Sequence, residues 1–184
     1  EAHDFKGNLV QASRRIALSY RTAVDWETVD AALGSDPTAI LDLTDLTTAL
    51  APLAEAEAYT SLTTYDALNR PVDLTMPHTP TMTASVIHPS YNEANLLERV
   101  DVIVRGAAET TPFVTDIDYD AKGQRTLITY GSGAGPSQQG VTTTYDYDPF
   151  TFRLTHLRTT RPAGLNGLAG DLFTNPAVVQ DLRY

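Results

Sequence analysis

The chain has 184 residues, of which 42% are hydrophobic, 20% charged and 8% aromatic, a composition that suits one polar globular domain or one segment of something larger. Lys and Arg number 13 against 23 Asp and Glu, a formal net charge of −10, so counterion release has little to work with and nucleic acids and anionic membrane surfaces are poor partners. No apolar run nears the roughly 18 residues of a membrane-spanning helix, and with no cysteine there is no disulfide, thiol nucleophile or thiolate metal site.

In chain order, Glu1 opens without an initiator Met or a charged-then-apolar leader and Asp181-Leu182-Arg183-Tyr184 closes without a cap, so the chain reads as a piece of a longer polypeptide with no targeting signal of its own. Residues 1–26 read as a leading strand and turn, in which His3-Asp4-Phe5-Lys6-Gly7-Asn8 is a degenerate first copy of a motif that recurs downstream. Residues 27–58 read as an insertion. There Asp36-Pro37 resembles a helix start and Leu41, Leu43, Leu46, Leu50 and Leu53 recur at mixed spacings, although Leu41-Asp42-Leu43 also alternates like a strand. Residues 59–184 read as repeated β-hairpins, with turns near 65–70, 91–96, 119–124 and 147–152.

The repeat rests on a Tyr followed by Asp or Asn: Tyr65-Asp66, Tyr91-Asn92, Tyr119-Asp120 and Tyr147-Asp148, a period of about 26–28 residues. Asp or Asn at the second position can accept hydrogen bonds from backbone amides two residues on. The fifth position carries Asn69, Asn95, Gly123 and, in the early copy, Gly7, which are the types that tolerate positive φ. A type I turn followed by a left-handed residue is a common hairpin loop with a bulge. Thr151 occupies that position in the last copy, and a β-branched residue resists it, so that turn must differ or carry strain. Arg70 and Arg125 follow their turns, and the flanks at Leu97 to Arg105, Phe113 to Tyr119, Arg125 to Tyr130, Val141 to Tyr145 and Phe152 to Arg158 are β-branched, aromatic and Thr-rich. The motif Tyr ends each incoming strand, where its ring can cover the bulge while its hydroxyl stays wet. Pro71, Pro77, Pro80 and Pro89, then 131–136, then 162–170, read as loops between strands.

Little in the residue chemistry asks for catalysis. His3, His78, His88 and His156 are scattered without metal spacing, and His156 reads as a partly buried strand histidine. Asp116-Ile117-Asp118-Tyr119-Asp120 looks at first like a calcium loop, but the Gly arrives late at 123 and Leu127 stands where a bidentate Glu belongs, which leaves a strand with an acidic outer face. Gly131-Ser132-Gly133-Ala134-Gly135 lacks the following Lys and helix of a phosphate loop, and Ser132 has no nucleophile-elbow context. Carboxylates are too plentiful for spacing to nominate a glycosidase pair. The expectation is a non-enzyme without cofactor or metal.

The copies YDALNRPV, YNEANLLERV, YDAKGQRTLITYG and YDYDPFTFRLTHLRT resemble the Tyr-Asp repeats of bacterial Rhs proteins and of the B and C components of insecticidal toxin complexes. HDFKGNLVQASRRIALSY, VDW, YDPFTFRL and QDLRY look more specifically like the repeat region of SpvB-associated toxin-complex proteins; Glu27 to Ala56 has no matching motif. What the resemblance implies is an all-β fold of stacked antiparallel hairpins, a segment of a curved β-strip or hollow shell, with a short irregular or helical insertion near 27–56. It implies a structural role: Tyr65, Asp66, Asn69, Arg70, Tyr91, Asn92, Asn95, Tyr119, Asp120, Gly123, Arg125, Tyr147 and Asp148 build hairpins of a secreted or cell-surface protein that encloses a toxic C-terminal polypeptide. Partners would be neighbouring repeats, a toxin component and the enclosed polypeptide, and an acidic polar inner face would give that cargo little apolar surface to hold. The competing reading is a carbohydrate-binding or adhesive surface of exposed Tyr and Asp or Asn, with glycans as partners.

Overall fold

The computed structural model describes residues 1–19, 21–34, 42–131, 140–162 and 177–184. Its strands are β1 (Ala2–His3), β2 (Leu9–Ala17), β3 (Ala54–Tyr65), β4 (Pro71–His78), β5 (Val86–Tyr91), β6 (Leu97–Ile103), β7 (Thr111–Tyr119), β8 (Arg125–Tyr130), β9 (Val141–Tyr147), β10 (Leu154–Arg161) and β11 (Ala177–Arg183). They form an 11-stranded sheet in which hydrogen-bonded order follows chain order from β1 to β11. By Cα proximity the chain divides into two compact units, Glu1–Leu62 with Met76–Thr83, and Thr63–Thr75 with Ala84–Tyr184.

The first unit holds β1, β2, most of β3 and the helices α1 (Trp26–Leu33) and α2 (Leu43–Leu50), followed by a 3₁₀ turn over Ala51–Leu53. Both helices start on an aspartate. Asp25 accepts from the Thr28 amide at 3.3 Å, and Gly34 ends α1 at φ 87°, a left-handed value that glycine adopts without strain. Asp42 accepts from the Thr44 and Asp45 amides at 2.8 Å while Asp45 answers the Asp42 amide, a complete capping box. Asp42-Leu43 therefore opens α2, the cap carboxylate setting the backbone into the helix, while Leu41 lies outside the described residues. The Asp36-Pro37 start lies outside the described residues. Val29 is the buried apolar residue of α1, 3% exposed.

The second unit is an antiparallel meander. Ile117 pairs with Ile128, Ile128 with Thr143 and Thr143 with Thr159, so these side chains share one face of β7 to β10. Ile117, Ile128 and Val102 are buried, as is Thr143, whose hydroxyl lies 2.9 Å from that of Thr159. The row through Asp118, Leu127, Thr144, Arg158 and Asp181 lies on the opposite, more polar face.

Several prolines read as loop breakers stand within strands. Pro71 is the first residue of β4, Pro77 lies near its end, and Pro89 in β5 comes just before the register shift at Ser90/Tyr91. At such positions a missing N–H costs the ladder least. The glycine-rich stretch 132–139 and, of the expected loop 162–170, all but residue 162 lie outside the described residues. Gly140 is described, and a Cβ there would stand 1.9 Å from the Tyr130 carbonyl, so close backbone approach is its requirement.

Candidate interaction site at the repeat turns

Four of the five motif copies fold into the same closed turn. In the first unit, Asp4 donates its amide to the Asn8 carbonyl at 2.9 Å while its Oδ1 accepts from the Lys6 and Asn8 amides at 2.8 and 2.9 Å. In the second unit, Asp66 does the same with Arg70 and with the Leu68 and Arg70 amides, Asn92 with Leu96 and with Ala94 and Leu96, and Asp120 with Gln124 and with Lys122 and Gln124. The chain reverses through a left-handed residue: Gly7 at φ 87°, Asn69 at 63°, Asn95 at 64° and Gly123 at 79°. One short side-chain oxygen thus satisfies the amides that the reversal turns away from the ladder.

The last copy is one residue longer. Asp148 pairs with the Arg153 carbonyl, accepts from the Phe150 and Thr151 amides, and passes the left-handed position from Thr151 to Phe152 at φ 60°. The expected difference at Thr151 takes this form, and the strain moves to an aromatic residue. Lys122, from the preceding turn, stacks 3.3 Å from the Phe152 ring centroid.

Successive turns in the second unit are joined by side chains at fixed offsets. The Tyr91 hydroxyl donates to the Pro71 carbonyl at 3.1 Å and the Tyr119 hydroxyl to the Leu97 carbonyl at 2.6 Å, each target being the sixth residue after the preceding motif tyrosine. These hydroxyls are consequently not left to water: the strand spacing brings a carbonyl of the previous hairpin within reach. Burial pushes both above tyrosine's usual range. Tyr65 and Tyr147 stand at the ends of β3 and β9, half-buried.

A second link comes from the residue just after the left-handed position. Arg70 binds Asp66 at 2.7 Å, reaches Asn95 Oδ1 at 2.8 Å and lies 4.6 Å from the Tyr91 ring centroid. Leu96 lies 3.8 Å from where a Cβ on Gly123 would be, and Gln124 donates to the Phe152 carbonyl at 2.8 Å. Sequence reading missed Leu96 and Gln124 because Arg, Leu and Gln share only length, which leaves no identity signal. Arg125 lies 5.8 Å from the Tyr145 ring, a weaker contact.

Backbone donation from Arg70 holds the Asp66 carboxyl below the usual carboxylate range, and donation from Thr151 does so for Asp148. Between the second and third turns an open cleft of about 630 Å³ is lined by Glu93, Glu98, Asp116, Asp118 and Asp120. Among the described residues no cluster of His, Asp and Glu is arranged to hold a metal ion, and no helix is long and apolar enough to cross a membrane. The arrangement is one of mutual attachment between hairpins.

No protein-family model matches the chain and no curated protein does. Solved structures do. The chain is similar to part of the crystal structures of TcdB2-TccC3-TEV and TcdB2-TccC3, each at TM-score 0.64 and 21% identity. It is also similar to part of the Photorhabdus luminescens Tc holotoxin pore, at TM-score 0.65 and 22% identity. In each case 100% of this chain aligns with 7% of the other, so it spans a small fraction of those chains, and the likeness is one of fold.

Proposed function

We propose that the chain is a non-catalytic wall segment of a Rhs or SpvB-associated toxin-complex protein, in which Tyr-Asp repeat hairpins enclose and help deliver a toxic C-terminal polypeptide. The observation that carries this reading is the turn-to-turn linkage: the same aspartate-closed turn recurs, and Tyr91 and Tyr119 each bond the hairpin before them. Such a device extends a sheet hairpin by hairpin without limit, which suits a wall better than an enzyme. The fold likeness to part of a Tc holotoxin supports it independently. Residues 1–26 as leading segment, 27–58 as insertion and 59–184 as repeats belong to the same reading, as do a secreted or cell-surface location and partners drawn from adjoining repeats, a toxin component and the cargo. The charged row through Asp118, Arg158 and Asp181 suits the side facing an unfolded cargo.

The glycan-binding alternative calls for exposed rings and hydroxyls, whereas Tyr91 and Tyr119 are half-buried and donate their hydroxyl protons to backbone carbonyls. Electron cryomicroscopy of the full polypeptide that contains this chain tests the wall reading. Density in which these strands continue on both sides and surround a closed volume is expected; strands that end in a solvent-exposed rod overturn it.

A further inference from the structure

On the polar face of the second unit, one cluster has a geometry that a single protonation state satisfies. His156 on β10 stands between Asp146 on β9, whose Oδ2 is 3.1 Å from Nδ1, and Asp181 on β11, whose Oδ1 is 2.8 Å from Nε2. Its side chain is 23% exposed. A neutral imidazole has one N–H and one lone pair, so it donates to one carboxylate and turns its lone pair to the other. The imidazolium donates to both. Among the described residues, the other charged groups in ion-pair reach of the cluster are cations that lean on Asp181: Arg158 on β10, with Nε 4.0 Å from Oδ2, and Arg183 on β11, with Nε 3.8 Å from Oδ1.

We propose that His156 is a protonation-dependent clasp that ties the edge strand β11 to β9 and β10. With the ring protonated and both carboxylates ionised, both struts are made. The deprotonated ring has lost one N–H, so a lone pair faces a carboxylate oxygen and one strut is loosened. The His156 hydrogen bond also holds the Asp181 carboxyl below its usual range, so that acid stays ionised in either state of the ring. His88 contrasts with this, because it touches one acid, Asp73 on β4, through Nδ1, and the neutral ring meets that contact by donating there. The edge that a next strand would use is thus set most firmly at mildly acidic pH.

Amide hydrogen exchange of β11, read by NMR and corrected for intrinsic rates, tests the clasp between about pH 5.5 and pH 8. Protection of the β11 amides is expected to fall roughly threefold or more across that range in the natural chain, a modest change because both carboxylates are partly exposed. In His156→Gln protection is expected to be lower and flat with pH, while His88→Gln keeps the natural response. If His156→Gln does not fold, Asp181→Asn takes its place and is likewise expected to flatten the response. Protection that stays constant in the natural chain overturns the proposal, as does an unchanged pH slope in His156→Gln or in Asp181→Asn.

Discussion

At the scale of single residues, the work of the motif falls on one side-chain oxygen and one phenol. The oxygen closes the turn, and its acceptor role is shared by Asp66, Asp120 and the uncharged Asn92, so charge is incidental to the geometry. Charge does set the pH response. Asp66 and Asp148 have carboxyls lowered in the folded chain, so their stabilisation is fully present above the unfolded value of about 3.9 and is lost as the pH falls through the lower folded one. The urea midpoint is therefore expected to drop on acidification below about pH 4, and Asp66→Asn, which reproduces the residue type that closes the next turn at Asn92, is expected to reduce that acid loss. The phenol joins hairpins. Tyr119→Phe removes one hydroxyl and leaves the Leu97 carbonyl without that donor, which is expected to cost about 1 kcal/mol in chemical denaturation at unchanged m-value. The tyrosines were legible in the sequence because identity repeats; their hydroxyl partners were not, because a backbone carbonyl one hairpin back leaves no mark on residue type.

At the scale of elements, strands with alternating β-branched residues were readable, and those with proline or few apolar residues were not. Pro71-Val72-Asp73 carries a breaker at its head, yet a strand can begin on proline because the first N–H need not join the ladder. The sequence predicts a short helix or irregular insertion here; the described helices begin on aspartates, Asp25 and Asp42, whose capping leaves a signal only a few residues long, and the Asp36-Pro37 start lies outside the described residues. Core burial is sparse, so single apolar residues matter. Ile128 is 4% exposed and joins β7 to β9 through Ile117 and Thr143. Ile128→Ala is expected to cost about 2–4 kcal/mol, read from the urea midpoint, with exchange protection falling first in β7 to β9. A loss below roughly 1 kcal/mol would mean that the Ile117 row is not the core of this unit.

At the scale of the whole molecule, strand order equal to chain order means that each strand is hydrogen-bonded to its sequence neighbours. Stability in such a chain is close to a sum of neighbour terms, and edges at both ends of the order can accept further strands. That is the property the proposed wall would require, and the chain of 184 residues aligns along its whole length with 7% of a much longer one. Limited proteolysis of the full polypeptide that contains this chain tests enclosure most directly. The segment downstream of the repeats is expected to resist protease in the intact protein and to become cleavable when Tyr91→Phe and Tyr119→Phe together loosen the joined turns. Equal cleavage of that segment in the intact and the loosened protein would contradict an enclosing wall.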